Sequence, residues 1–191
     1  MLSLNIPSGV NLKVSEEEFE RFAVANRDLR LERTQDGEMI VMPPTGGETG
    51  NLNLKIATQL LIWTEQTQLG LAFDSSTGFR LPKGATRSPD ASWVSNAKWD
   101  ALTAEQKKKF PPLCPEFIIE LRSPSDNLKT LQDKMLEYLA NGLELGWLID
   151  PTNKKAEIYR AGQNKEILDN PTTITGENLL PGFNLNLSKI W

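Results

Sequence analysis

Two short stretches hold the residues most suited to chemistry. One is Ser88-Pro89-Asp90-Ala91-Ser92-Trp93-Val94, and the other is Pro115-Glu116-Phe117-Ile118-Ile119-Glu120-Leu121-Arg122-Ser123-Pro124-Ser125. Each is a brief apolar run of the kind that forms a strand, and each carries a carboxylate where a core strand has no use for one. Strand side chains alternate between faces. Phe117, Ile119 and Leu121 therefore share one face, and Ile118, Glu120 and Arg122 the other. By the same rule Asp90 and Ser92 oppose Ala91 and Trp93. Two carboxylates brought together from neighbouring strands, beside a cation, offer oxygen ligands to a hard divalent ion such as magnesium. The same residues would also suit a salt bridge at the end of a sheet, since ion-pair networks collect charge too.

Composition narrows the alternatives. The 191-residue chain contains no histidine and one cysteine. Without histidine there is no Ser-His-Asp or Cys-His nucleophilic site, and one thiol cannot build a zinc site. Acid, base or metal chemistry must come from Asp, Glu, Lys, Arg or Tyr. Cys114, in the apolar approach to a strand, reads as a packing residue. The absence of internal disulfides fits a reducing compartment, and a cytoplasmic location is expected. Met1 to Ile6 show neither a basic region nor a long apolar stretch, so no signal peptide is expected. No apolar run reaches membrane-span length, so no membrane partner is expected. The net charge of −4 gives no global attraction to a polyanion, so any nucleic-acid contact needs a local patch or a bound cation.

The elements that must position these carboxylates follow from pattern. Ser15 and Glu18 form a capping box that opens a helix running to about Asn26. Leu29 to Arg33 and Glu38 to Met42 read as a hairpin turned at Gln35-Asp36-Gly37. Leu52, Ile56, Leu60 and Trp63 have helical spacing, which predicts a long helix from Asn51 to Trp63 packed on a sheet. Leu71 to Asp74, Phe79 to Leu81 and Asp90 to Val94 read as three strands joined by polar turns. Thr103 and Gln106 cap a short turn that ends in Lys107-Lys108-Lys109. After the Glu120 strand, Ser123 to Asp126 is expected to cap a helix that ends near Asn141. A buried strand from Gly146 to Asp150 then pairs with Glu157 to Arg160. The pattern is that of an α/β or α+β protein, expected as a single domain over 1–191.

Taken together, these segments resemble a known family. Ser-Pro-Asp leading a strand, a tryptophan-containing insertion, and then Pro-Glu-Phe-Ile-Ile-Glu-Leu-Arg-Ser-Pro-Ser-Asp are similar to the PD-(D/E)XK nuclease superfamily. More closely, they are similar to a large bacterial branch known mainly as a domain of unknown function and associated with restriction endonucleases. Gly142 to Pro151 and Leu180-Pro-Gly-Phe183 share that likeness. The resemblance implies a restriction-endonuclease-like core, with a central mixed sheet flanked by helices, and Mg2+- or Mn2+-dependent hydrolysis of DNA. It matches Asp90 and Glu120 to the two acidic motif positions, and thus to the metal. Arg122 stands where the parent motif has lysine. Lys134, on the following helix, is the residue that matches a migrated lysine. Its other reading is a solvent lysine paired with Glu137 or Asp133. Glu48, just before the long helix, and Glu32, on the hairpin, are candidates for a further acidic group, or else plain surface glutamates.

Arginine does not release its proton and cannot serve as a base, so Arg122 supplies charge only. Lys83, Arg87, Lys98 and Lys107 to Lys109 flank the Asp90 strand or follow it, and could line a DNA-facing rim. A homodimer would set two such rims on one duplex. Two rival readings stand beside the nuclease. One is a domain that kept the fold but lost efficient chemistry, and serves as a binding or dimerisation module. The other is a two-carboxylate glycosidase, which would need an aromatic-lined sugar cleft.

Overall fold

The structure is a computed structural model and describes residues 12–191; the N-terminal stretch read for a signal peptide lies outside them. Helix α1 (Glu16–Ala25) starts at the expected capping box, with Ser15 accepting from the Glu18 amide and Glu18 from the Ser15 amide. The hairpin β1 (Arg30–Arg33) and β2 (Met39–Met42) follows in register, with Gly37 at φ +90° in its turn. Helix α2 (Gly47–Thr67) is longer than its apolar spacing predicts. Its first turn holds Gly, Thr and Glu rather than apolar residues, so periodicity could not mark it. Glu48 therefore lies inside the helix rather than ahead of it.

The chain then forms β3 (Gly70–Asp74), β4 (Phe79–Arg80), β5 (Thr86–Arg87) and β6 (Ala91–Ser95). Strands β3 and β6 pair directly and antiparallel, while β4 and β5 leave as a hairpin that joins a different sheet. The expected run of three sequential strands is thus split between two sheets. Strand β5 is too short to show an apolar pattern. Two five-residue helices, α3 (Asn96–Asp100) and α4 (Ala104–Lys108), precede β7 (Phe117–Leu121). Then come α5 (Leu128–Ala140), β8 (Leu145–Asp150), β9 (Lys155–Arg160), β10 (Glu166–Asp169), β11 (Thr173–Thr175) and β12 (Asn184–Asn186).

The main sheet runs β10-β9-β8-β7-β6-β3, and its β7–β8 pair is parallel. A parallel pair needs a crossover, and α5 is that crossover. Every residue of β7 and β8 is buried, as expected for central strands covered on both faces. One face, with Ala91, Trp93, Phe117, Ile119, Trp147 and Ile149, packs on Ile56, Leu60 and Trp63 of α2 and on the C-terminal segment around Phe183. The other face, with Val94, Ile118 and Leu148, packs on Met135 and Tyr138 of α5. Each fully buried Ile, Leu or Phe contributes about 1.5–3 kcal/mol, so the faces read from alternation are fixed by packing. The smaller sheet, β2-β1-β5-β4, brings β1 alongside the β6 approach through the Arg33–Thr86 pairing.

Helix α5 is capped by Asn127, which accepts from the Thr130 amide, and not by the Ser123–Asp126 segment expected to cap it. That segment forms its own turn, in which the Ser123 amide donates to Asp126 Oδ2 at 2.8 Å. Pro124 favours an extended Ser123 and so keeps the helix from starting there.

Candidate active site

Asp90 directly precedes β6, and Glu120 is the fourth residue of β7. The β6–β7 register pairs Ala91 with Ile119 and Ser92 with Ile118, so one further step sets Asp90 against Glu120. The Leu121 amide donates to Asp90 Oδ2 at 2.8 Å, and Asn53 Nδ2 on α2 donates to Oδ1 at 3.3 Å. Both carboxylates line one cleft of about 560 Å³, with Arg30, Glu48, Asn53 and Lys134, between the Thr45–Glu48 segment and the Ser123–Asp126 turn.

Lys134 is brought in by α5 and is not a solvent lysine. Its Nζ lies 2.8 Å from Glu120 and 3.0 Å from Glu32, with the side chain 12% exposed. It also sits 5.8 Å from the Tyr138 ring centre, while Tyr138 donates its hydroxyl to Glu120 at 3.0 Å. Lys134 and Tyr138 are four positions apart, so one helical face delivers both to Glu120. Asp133 pairs instead with Lys129, and Glu137 with Arg87.

Glu32 is a buried tie rather than a surface glutamate. It accepts from Lys134, from Arg87 Nη1 at 3.0 Å and from the Ser88 amide at 2.9 Å. Arg87 also holds Glu137 at 2.6 Å. The small sheet, the Asp90 approach and α5 are thereby locked together by charge. Burial opposes ionisation of Glu32, but Lys134 and Arg87 outweigh it and hold that carboxyl below its usual range. For Glu120 the balance falls the other way. Burial, reinforced by the Asp90 and Glu32 charges, outweighs Lys134 and pushes its carboxyl up to about 7. Burial raises Asp90 as well, against the Leu121 amide and the Lys134 charge. Burial works against the charged form of Lys134, yet Glu120 and Glu32 dominate, and its ammonium stays protonated well above the ordinary lysine range.

Other expected residues go elsewhere. Arg122 follows the end of β7 and turns away from Glu120 to Asp150, at 2.7 Å, and to the Asp126 carbonyl at 3.4 Å. Alternation alone had put it beside Glu120, but alternation holds only while the strand lasts. Arg87 is buried in ion pairs and cannot face a duplex. Lys107, Lys108 and Lys109 pair with Asp100, Glu105 and Glu20, and none of them lines the cleft. Lys98 donates to the Cys114 carbonyl. Among the described residues no tryptophan lines this cleft; Trp63, Trp93 and Trp147 pack in the core instead, so Asp90 and Glu120 lack the tryptophan wall that a sugar cleft could use. Cys114 is buried, which pushes its thiol up to about 12. Sequence reasoning missed Asn53 and Arg30. Neither stands in a motif, and only the two-residue spacing of Arg30 from Glu32 hinted that they share a face.

A family model described as "Putative restriction endonuclease" matches residues 16–188. The chain belongs to the Uma2 family. Its fold is also that of a crystal structure from Anabaena variabilis titled as a putative nuclease belonging to DUF820. That match has a TM-score of 0.76 at 19% identity, covering 93% of this chain and 97% of that one. No curated protein matches. Uma2 membership and this fold agree with the mixed sheet and flanking helices expected from sequence.

Proposed function

We propose that the chain is a metal-dependent nuclease that hydrolyses DNA phosphodiester bonds with Mg2+ or Mn2+. The observation that carries this reading is the 2.8 Å approach of Lys134 to Glu120, inside the cleft that Asp90 also lines. Asp90 and Glu120 would hold the ion. Their oxygens suit a hard cation, and magnesium is commonly bound through one or two carboxylates, with water and substrate oxygens filling the rest. Burial raises both carboxyl groups by disfavouring their charged forms, and an inserted cation would offset that cost. When bound, the ion neutralises phosphate charge and lowers the pKa of a coordinated water.

The remaining roles belong to the chain. Lys134, kept protonated by its two carboxylates, supplies positive charge to the phosphate oxygens as the transition state forms. Tyr138 fixes the orientation of Glu120. Glu48, exposed on the first turn of α2, would offer a further carboxylate to the same cleft. Arg122 braces the Ser123–Asp126 turn through Asp150. A homodimer, carrying two clefts to one duplex, belongs to the same reading, and sedimentation in solution tests it.

Calorimetry with manganese should show uptake that Asp90→Ala abolishes. Nicking of supercoiled DNA in magnesium or manganese should fall at least about 100-fold in Glu120→Gln and in Lys134→Ala. Undiminished cleavage by the Asp90→Ala/Glu120→Ala double mutant would sink the proposal.

A further inference from the structure

Among the described residues lining the cleft, the cations are Arg30 and Lys134. They differ in how they are held. Lys134 is tied to two carboxylates at the reaction centre, whereas Arg30 makes no ion pair among the described residues; its Nη2 donates to the Ser75 carbonyl at 2.7 Å. Strand alternation puts Arg30 on the Glu32 face of β1, the face that meets the site. Arg33, on the opposite face with Leu31, donates to the Val14 and Gly84 carbonyls. Ser75 sits in the turn after β3, where Asp74 Oδ1 accepts from Ser76 and Thr77. The single tie to Ser75 holds one edge of the guanidinium and leaves its other N–H groups uncommitted to a carboxylate. A planar fork of donors matches the paired oxygens of a phosphate.

Resting on the nuclease reading above, we infer that Arg30 is the cleft's phosphate-binding residue, gripping a backbone phosphate of the nucleic acid beside the one to be cut. The chain is acidic overall and its lysine run lies elsewhere, so this contact supplies an attraction that the average charge does not.

The test uses the full chain as wild type, Arg30→Ala and Arg30→Lys. Affinity for a short fluorescent DNA duplex is measured with calcium as the ion over a range of salt, alongside manganese calorimetry. Arg30→Ala should weaken duplex binding about ten-fold and reduce the slope of log affinity against log salt by about one. Arg30→Lys should recover the slope but only part of the affinity, because it restores charge without the fork. Manganese uptake should be no weaker than in wild type. A purely structural role, through the Ser75 tie, would lower the melting temperature of Arg30→Ala and leave the salt slope alone; that result overturns the inference. Equal affinity and slope in Arg30→Ala and wild type does so as well, as does a wild-type chain that takes up manganese but binds no duplex. Absence of manganese uptake by the wild type is a different failure: it removes the nuclease reading and this inference with it.

Discussion

Lys134 does two jobs in one place, and its removal should separate them. It neutralises Glu120 and Glu32, both buried, so Lys134→Ala leaves Glu120 without a cation and Glu32 with Arg87 alone. Breaking a buried pair from one side typically costs about 3–5 kcal/mol. We expect Lys134→Ala to melt well below wild type in the absence of metal. Added manganese should recover part of the loss, because a bound cation replaces the missing charge. Thermal melts with and without manganese check this, and an unchanged gap between the two proteins would contradict it. Cys114 gives a second residue-scale prediction. Its thiol is raised by burial, so at pH 8 it is protonated as well as inaccessible. Labelling by a thiol reagent in native buffer should be at least about 100-fold slower than in denaturant, where the ordinary thiol pKa returns.

At the scale of elements, the distance between α5 and the sheet decides whether Lys134 reaches Glu120. Gly146 of β8 lies beneath that helix. A Cβ built there would meet Met135 Cε at 2.6 Å and Leu143 Cδ2 at 2.8 Å, both ends of flexible side chains. Gly146→Ala should be absorbed by rotamer shifts at about 1 kcal/mol, the low end for overpacking, and any nicking activity should fall no further than stability does. The Arg122–Asp150 pair has its own pH signature. Burial opposes ionisation of Asp150, but hydrogen bonds from Asn153 and Arg122 prevail and lower its pKa. A carboxyl lowered on folding contributes stability above its unfolded pKa and loses it as pH falls through the folded one. The stability gap between wild type and Arg122→Ala should thus be complete at pH 7 and close below about pH 4. Urea titrations at several pH values measure it. Arg122→Lys should leave cleavage near wild type, since the guanidinium faces Asp150 and not the cleft.

The same elements show what could be read without a structure. The central strands were legible because alternation and burial coincide in Phe117 to Leu121, and the face of Glu120 followed. Lys134 was legible only through the resemblance, as a lysine on the helix that follows the Glu120 strand. Arg122 was misplaced because it lies one residue past the strand, where Pro124 and Asp126 dictate the turn. Strand β5 and the first turn of α2 were invisible because nothing apolar repeats in them. Arg30 and Asn53 could not be found, since their roles depend on two elements meeting in space.

For the whole molecule, charge is distributed against simple attraction. The lysine run at 107–109 is answered by Asp100, Glu105 and Glu20, on the side of α1 and away from the cleft. Changing Lys107, Lys108 and Lys109 together to Glu should leave the metal-dependent affinity for DNA within about two-fold of wild type, a departure from the basic rim that sequence order suggests. A drop of ten-fold or more in a filter-binding titration would restore that rim. Binding in EDTA should be weak whatever the variant, because carboxylates without an ion repel the backbone.

The parallel pairing of β7 with β8 has a consequence for synthesis. When a ribosome has delivered the chain as far as Ala140, Arg30, Glu32, Asp90, Glu120 and Lys134 have all been made. Strand β7, however, has no β8 beside it, and α5 lacks the Leu148 and Tyr159 surface it packs on. Domains generally fold as units, and the central sheet here is incomplete until β8 and β9 have been made. The nascent chain thus carries all five groups while they are still scattered, and they come together only once β8 and β9 have emerged. A cell making this protein therefore meets the assembled cleft only after β9 has been made.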